Sequence, residues 1–274
     1  MIYFFLFVLG AVIGSFLNVV IFRLPRGESI VYPASHCQTC KKPLKFWHNV
    51  PIVSWLALRG RCAFCGAPIS PQYPLIELLS GLIFVTIFLK MGVAAATLGI
   101  ALVFLLLLAL SMIDFYHKAV PDSINLLALT LAVFSVYSPQ MLAENFVNAV
   151  LLAGGFTLLR FYLSYYLYAR TKAFVKPQKM ASWMKNYNVM PLYFEAMGEA
   201  DIIIAATMGA LLGVKLALVA VFLSALLALP AMIALRNETD ESKQVPFIPF
   251  LAMATWIVYV FDSPIATMLA GLYA

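Results

Sequence analysis

Eight apolar runs divide this chain: 2–22, 75–89, 92–113, 123–138, 146–168, 202–214, 216–235 and 246–262. Several approach the ~20 residues that cross a bilayer's hydrocarbon core as a helix. The pattern predicts an all-α integral membrane protein with about eight transmembrane helices. Runs 75–89 and 202–214 are short, so their ends are expected to shift or to be shielded by neighbouring helices. A polar stretch after the first run separates helix 1 (1–23), a small domain (24–74) and a polytopic remainder (75–274) with an insertion near 170–197. No internal repeat or low-complexity tract is evident.

Composition agrees with this pattern. Hydrophobic residues make up 64% of the 274 positions and charged residues 11%, against roughly 25% charged in a soluble domain. The first run does not read as a cleavable signal, because nothing basic precedes it and Arg23 and Arg26 follow it. That asymmetry puts the N-terminus outside and the exit in the cytosol. Threading eight spans from there leaves 15 of the 18 basic residues in cytosolic segments, with Lys90 and Lys215 outside and Arg160 within a span. Positive-inside bias therefore accounts for the formal net charge of +6, and no nucleic-acid partner is needed.

All four cysteines lie in the 24–74 loop, as Cys37 and Cys40 in "HCQTC" and Cys62 and Cys65 in "RCAFC". A two-residue gap lets both thiolates of a knuckle face one ion, and two knuckles complete a closed tetrahedral site, structural rather than catalytic. Two disulfides or four unrelated buried thiols are the alternatives. A cytosolic loop disfavours the disulfides. His36 and His48 compete as ligands, but with four cysteines present packing or surface roles suit them better.

Acids in a chain this apolar need a reason, since a charge at a helix centre costs about 3 kcal/mol on insertion scales. The threading places Asp114, at the end of the third span, and Asp201, at the start of the sixth, on the same side. Two carboxyls that approach closely share one proton: the ionised member takes a proton from water while the protonated one polarises a peptide carbonyl. Asp201 reads equally as a cap for its span, as does Asp122 in "VPDSI". Asp114 resists that explanation, because the macrodipole disfavours an acid at a helix C-terminus. Glu199 reads as a solvated acid at headgroup level.

Several stretches closely resemble the bacterial prepilin peptidases, bifunctional leader peptidases and N-methyltransferases of type IV pilus, type II secretion and competence systems. They are "GSFLNVVIFRLP" (14–25), the cysteine region through "PQYPLIELLSG" (37–81), "SMIDFYHKAVPD" (111–122), "GEAD" (198–201) and "PFIPFLAMATWI" (246–257). The resemblance implies that Asp114 and Asp201 are a catalytic pair of the G-x-G-D type and that Cys37, Cys40, Cys62 and Cys65 bind zinc. It implies prepilin or pseudopilin substrates, cut after a glycine at the cytosolic face of the inner membrane. The new N-terminal residue would then be methylated with S-adenosylmethionine, and Glu77 resembles a family acid in the methyl-transfer region. An acid near a helix N-terminus is also favoured by the dipole alone.

Two departures stand out. The motif's second glycine is Ala200, and a lysine common in relatives after the aspartate is replaced by Ile202–Ile204. No Gly-rich nucleotide fingerprint is present. The pairs Gly10/Gly14 and Gly209/Gly213 read as close helix packing. The segment 170–197, basic and aromatic, suits the inner leaflet surface.

Overall fold

A computed structural model describes residues 1–171, 198–235 and 246–272. Among these the chain forms nine α-helices: α1 Ile2–Arg23, α2 Val53–Ala57, α3 Gln72–Met91, α4 Ala95–His117, α5 Asp122–Phe134, α6 Pro139–Thr171, α7 Glu199–Leu235, α8 Ile248–Val260 and α9 Asp262–Leu272. The described residues contain no strand beyond two isolated β-bridges in the cysteine loop.

Five helices are long and apolar enough to cross a membrane: α1, α3, α4, α6 and α7. The bent pair α8–α9, meeting at 81°, makes a sixth if it is one span. The eight expected runs map onto these helices unevenly. Runs 202–214 and 216–235 form the two helical parts of α7, which meet at a kink at Gly213, whose φ of 70° and ψ of 166° are not helical. Run 123–138 shortens to the 13 residues of α5, about 20 Å of helix. The helix α9 was not expected.

At the centre lies α4, which packs against α1, α3, α5 and α8. Its Ala101, Val103, Ala109, Leu110 and Ile113 are fully buried. Small residues bring α1 against α3. A Cβ added at Gly14 would lie 2.6 Å from Ser80 Oγ, and one at Gly10 2.7 Å from the Ser80 carbonyl, so the expected close packing holds for this pair. The second pair divides its roles. Gly209 lies against the backbone of Asn148 in α6, where a Cβ would come within 2.5 Å of its carbonyl, whereas Gly213 supplies the break.

The outward faces are apolar. Phe4 and Phe5 of α1 and Val147, Leu151, Leu158 and Phe161 of α6 are exposed. Exposed apolar bands on helices of this length face lipid tails rather than water, and the protein is a multi-pass membrane protein.

Candidate functional site

The placement of Asp114 answers why an acid stands at the wrong end of its helix. It lies in the last full turn of α4 and is buried, at 9% exposure. The helix closes just beyond it, where Lys118 takes a left-handed φ of 49° and its N–H donates to the Asp114 carbonyl at 2.9 Å. Its side chain turns away to α8, where the Ile248 backbone N–H donates to Oδ2 at 3.3 Å. Ile248 opens α8, so its N–H has no partner within that helix. The N-terminal end of the α8 dipole thus offsets the unfavourable end of the α4 dipole.

Asp201 uses the same physics on its own helix. It sits in the first turn of α7, with the Gly198 backbone N–H directed at its carboxyl group. Each acid lies at a helix end, Asp114 in the last turn of α4 and Asp201 in the first turn of α7, within the packed cluster of α4, α5, α7 and α8. Backbone N–H groups at helix N-termini thus face both carboxyl groups.

The structure also accounts for Ala200. It lies inside the first turn of α7 and is absent from the non-glycine residues with positive φ, which are Lys41, Ile52, Arg59 and Lys118. No left-handed angle is required there, and in a helix alanine is favoured over glycine by about 1 kcal/mol. Beyond the acid, Ile204 is fully buried in the core, while Ile202 and Ile203 are partly exposed.

Asn125 was missed by the sequence reading. This α5 residue is fully buried, and its Nδ2 donates to the Ala200 carbonyl at 3.1 Å, tying α5 to the residue before Asp201. Its Oδ1 has no partner. The available signal was an amide within the apolar run "INLLAL", since a buried amide costs about 1–3 kcal/mol when left unpaired.

The remaining acids divide clearly. Pro121, not Asp122, occupies the N-cap of α5; Asp122 is the first helical residue, and no side-chain cap hydrogen bond forms. Glu199 is exposed, as expected of a solvated acid, and meets Arg160 of α6 at 3.4 Å.

In the loop the four cysteine sulfurs lie within 4.8 Å of one another, and no histidine joins the group. All four are free, with Cys37 and Cys65 sulfurs 3.9 Å apart. That separation is close to the ~3.8 Å that a tetrahedron with Zn–S of about 2.3 Å requires. No disulfide joins the four cysteines in this structure. The His36 Nδ1 pairs instead with the Ala34 carbonyl, and the His48 ring packs edge-on against Phe64.

The two knuckles share one design, a short repeat that the sequence reading did not see. Bridges His36–Pro43 and Arg61–Pro68 frame them. The Cys37 N–H donates to the Lys42 carbonyl at 3.0 Å, and the Cys62 N–H to Ala67 at 2.8 Å. Each turns back through a positive φ, 58° at Lys41 and 70° at Gly66. The Cys40 backbone N–H pulls the Cys37 thiol down to about 6. At Cys65 the Ala67 N–H acts in the same sense, but desolvation and the three neighbouring sulfurs outweigh it and push that thiol up to about 11. Four sulfurs this close hold all their negative charge only with a cation among them.

Glu77 stands apart from the aspartates. It is buried near the start of α3, and its Oε2 accepts the Ile52 N–H at 2.7 Å. It lines a cavity between α1, α3 and the cysteine loop that includes neither Asp114 nor Asp201. The segment 170–197 falls, but for its first two residues and the helix backbone there, outside the described residues.

Comparison with known proteins joins these parts. Residues 8–91 match the bacterial peptidase A24 N-terminal domain, and residues 100–233 match the type IV leader peptidase family. A prepilin leader peptidase/N-methyltransferase of Neisseria gonorrhoeae is 30% identical over 92% of this chain and 88% of its own length. One from Aeromonas hydrophila is 31% identical over 94% and 90%. One from Myxococcus xanthus reaches 47% over a shorter stretch, 44% of this chain and 36% of the relative. No solved structure matches. Both halves of the helical bundle, with the acids in one and the cysteine loop in the other, fall under family models that meet between residues 91 and 100, and near-full-length relatives carry both: the chain belongs to the prepilin leader peptidase/N-methyltransferase family.

Proposed function

We propose that this enzyme removes the short leader of a type IV prepilin or pseudopilin after a glycine, with Asp114 and Asp201 as the catalytic pair, and then N-methylates the new N-terminal residue. Family membership supports both the peptidase and the methyltransferase activity. The observation that carries the residue assignment is the pairing of two helix-end carboxyl groups, Asp114 under the N-terminus of α8 and Asp201 in the first turn of α7. One carboxylate takes a proton from water as the water attacks the scissile carbonyl. The partner carboxyl, protonated, donates to the carbonyl oxygen; the first, now carrying the water's proton, passes it to the leaving amine as the C–N bond breaks, while a diol hydroxyl returns the partner's proton.

The substrate's apolar N-terminal helix lies in the bilayer with its leader at the cytosolic face of the inner membrane, where the positive-inside threading puts both acids. That orientation uses eight crossings. The 35-residue span of α7 measures about 52 Å, more than one hydrocarbon thickness of ~30 Å, and its break at Gly213 divides it in two. The α5 helix would then be a short, shielded span. Residues 24–74 form a zinc-stabilised cytosolic domain held by Cys37, Cys40, Cys62 and Cys65, whose sulfur spacing suits a closed tetrahedral site. S-adenosylmethionine supplies the electrophilic methyl group, and Glu77 belongs to the methyl-transfer region.

The test is cleavage of a prepilin-like peptide in lipid by the wild type, Asp114→Asn and Asp201→Asn, each shown to be folded and zinc-loaded. Cleavage by the wild type alone supports the pair. Cleavage by either folded variant removes that residue from the mechanism.

A further inference from the structure

The cavity beside Glu77 is lined by neither Asp114 nor Asp201. It measures about 350 Å³ and opens between the inner ends of α1 and α3 and the cysteine loop. Sites for small organic ligands fall in the range of ~300–1,000 Å³ and combine apolar walls with a few placed polar groups. Trp55 and Tyr73 supply the aromatic wall here, and Ser15, Asn18, Arg23 and Glu77 the polar groups.

Three of those polar residues are more than nine-tenths buried, and their pairing is incomplete. Asn18, at 3% exposure, uses its Nδ2 on the Gly14 and Tyr73 carbonyls and leaves Oδ1 without a partner. Arg23 donates from Nη1 to the Ser29 carbonyl, and no acid faces it within ion-pair distance among the described residues. Glu77 is matched by no cation among the described residues; its carboxylate accepts from the Ile52 N–H and the Ser15 hydroxyl. Ile52, which donates that N–H, adopts a φ of 63°, in the left-handed region that β-branched residues rarely take. A buried acid, a buried guanidinium and an orphaned amide oxygen around one cavity describe a binding site for a ligand with charges of both signs and hydrogen-bond donors.

We infer that this cavity is the methyl-donor site: it binds S-adenosylmethionine, with Glu77 facing its cationic end, Arg23 its carboxylate and Trp55 its adenine ring. The inference rests on the methyltransferase reading above and adds the place and the residues. The donor then sits apart from the aspartate pair, so the two activities use separate pockets of one chain.

Binding of tritiated S-adenosylmethionine to the full-length, zinc-loaded protein in nanodiscs tests it, with and without a cleaved pilin peptide. The variants are Glu77→Gln, which removes the charge, and Ser15→Phe, which fills the cavity from α1. The exposed Glu144→Gln is the control. The expected result is at least tenfold weaker binding for both cavity variants, wild-type binding for the control, and labelling of the 46–80 segment by an 8-azido analogue. Equal binding by all four proteins, or labelling confined to other segments, overturns the cavity assignment and leaves the methyltransferase reading intact. Absence of donor binding by the wild type under both conditions, together with an unmethylated cleavage product, overturns both.

Discussion

The four cysteines are held by two eight-residue turns whose backbone hydrogen bonds are local, whereas Asp114 and Asp201 arrive from separate helices, Asp114 held by the Ile248 N–H of α8 and the residue before Asp201 by the Asn125 side chain of α5. The cysteine loop buries little: of its cysteines only Cys62 is buried, and Trp47, Phe46 and Val53 are exposed. Ligand chemistry must give it order. The aspartate cluster is the reverse, with fully buried Ile113, Ile204, Leu251 and Asn125 around the acids. Packing gives it order before any ligand arrives. Local damage should therefore disorder the loop while sparing the bundle, and damage at the acids should stop chemistry while sparing the fold.

The largest expected effect sharpens that contrast. Asp114→Asn or Asp201→Asn should lower the cleavage rate by roughly 10³-fold or more, as loss of a general acid or base does. The helix content and zinc content should be unchanged, read by circular dichroism and metal analysis. Next comes Cys62→Ser or prolonged chelation. Zinc per chain should fall toward zero and limited proteolysis should cut within 24–74, while the helical signal of the bundle changes little; collapse of the bundle would break the comparison.

Asn125→Ala sits between the two regimes. It frees the Ala200 carbonyl inside the bundle, a loss of about 1–3 kcal/mol. It should lower the thermal midpoint modestly and kcat for cleavage about tenfold, with KM little altered, because Asn125 is fully buried and would act only through the Ala200 carbonyl beside the proposed catalytic Asp201. The smallest effect belongs to Glu199→Gln. Its ion pair with Arg160 is solvent-facing, with the Glu199 side chain 81% exposed, so stability should change by less than about 1 kcal/mol, with cleavage within twofold of wild type.

The sequence made the cysteine cluster legible because spacing alone sets a knuckle, and it made the helices legible because apolar length alone marks a span. Asp114 was readable for a related reason: its conflict with the α4 dipole is local, although its resolution by Ile248 is not. What stayed hidden depends on partners distant in sequence. Asn125 gains meaning only when Ala200 packs beside it, and the cavity exists only once α1, α3 and the loop meet. Gly213 looked like packing because its neighbour Gly209 packs; only the backbone distinguishes a contact from a break. The knuckle repeat escaped because its two copies share hydrogen bonds and turn angles more than residues, with Lys41 standing where the second copy has Gly66.

The apolar outer face of α6, next to the helix that carries Asp201, has a consequence for how the reaction is measured. An enzyme whose acids sit at helix ends in a lipid-embedded bundle meets a lipid-embedded substrate by diffusion in two dimensions. Its saturation should follow the mole fraction of substrate in the bilayer or micelle, not the amount per litre. Adding empty lipid at constant protein and substrate would then slow the reaction by surface dilution, although no bulk concentration has changed.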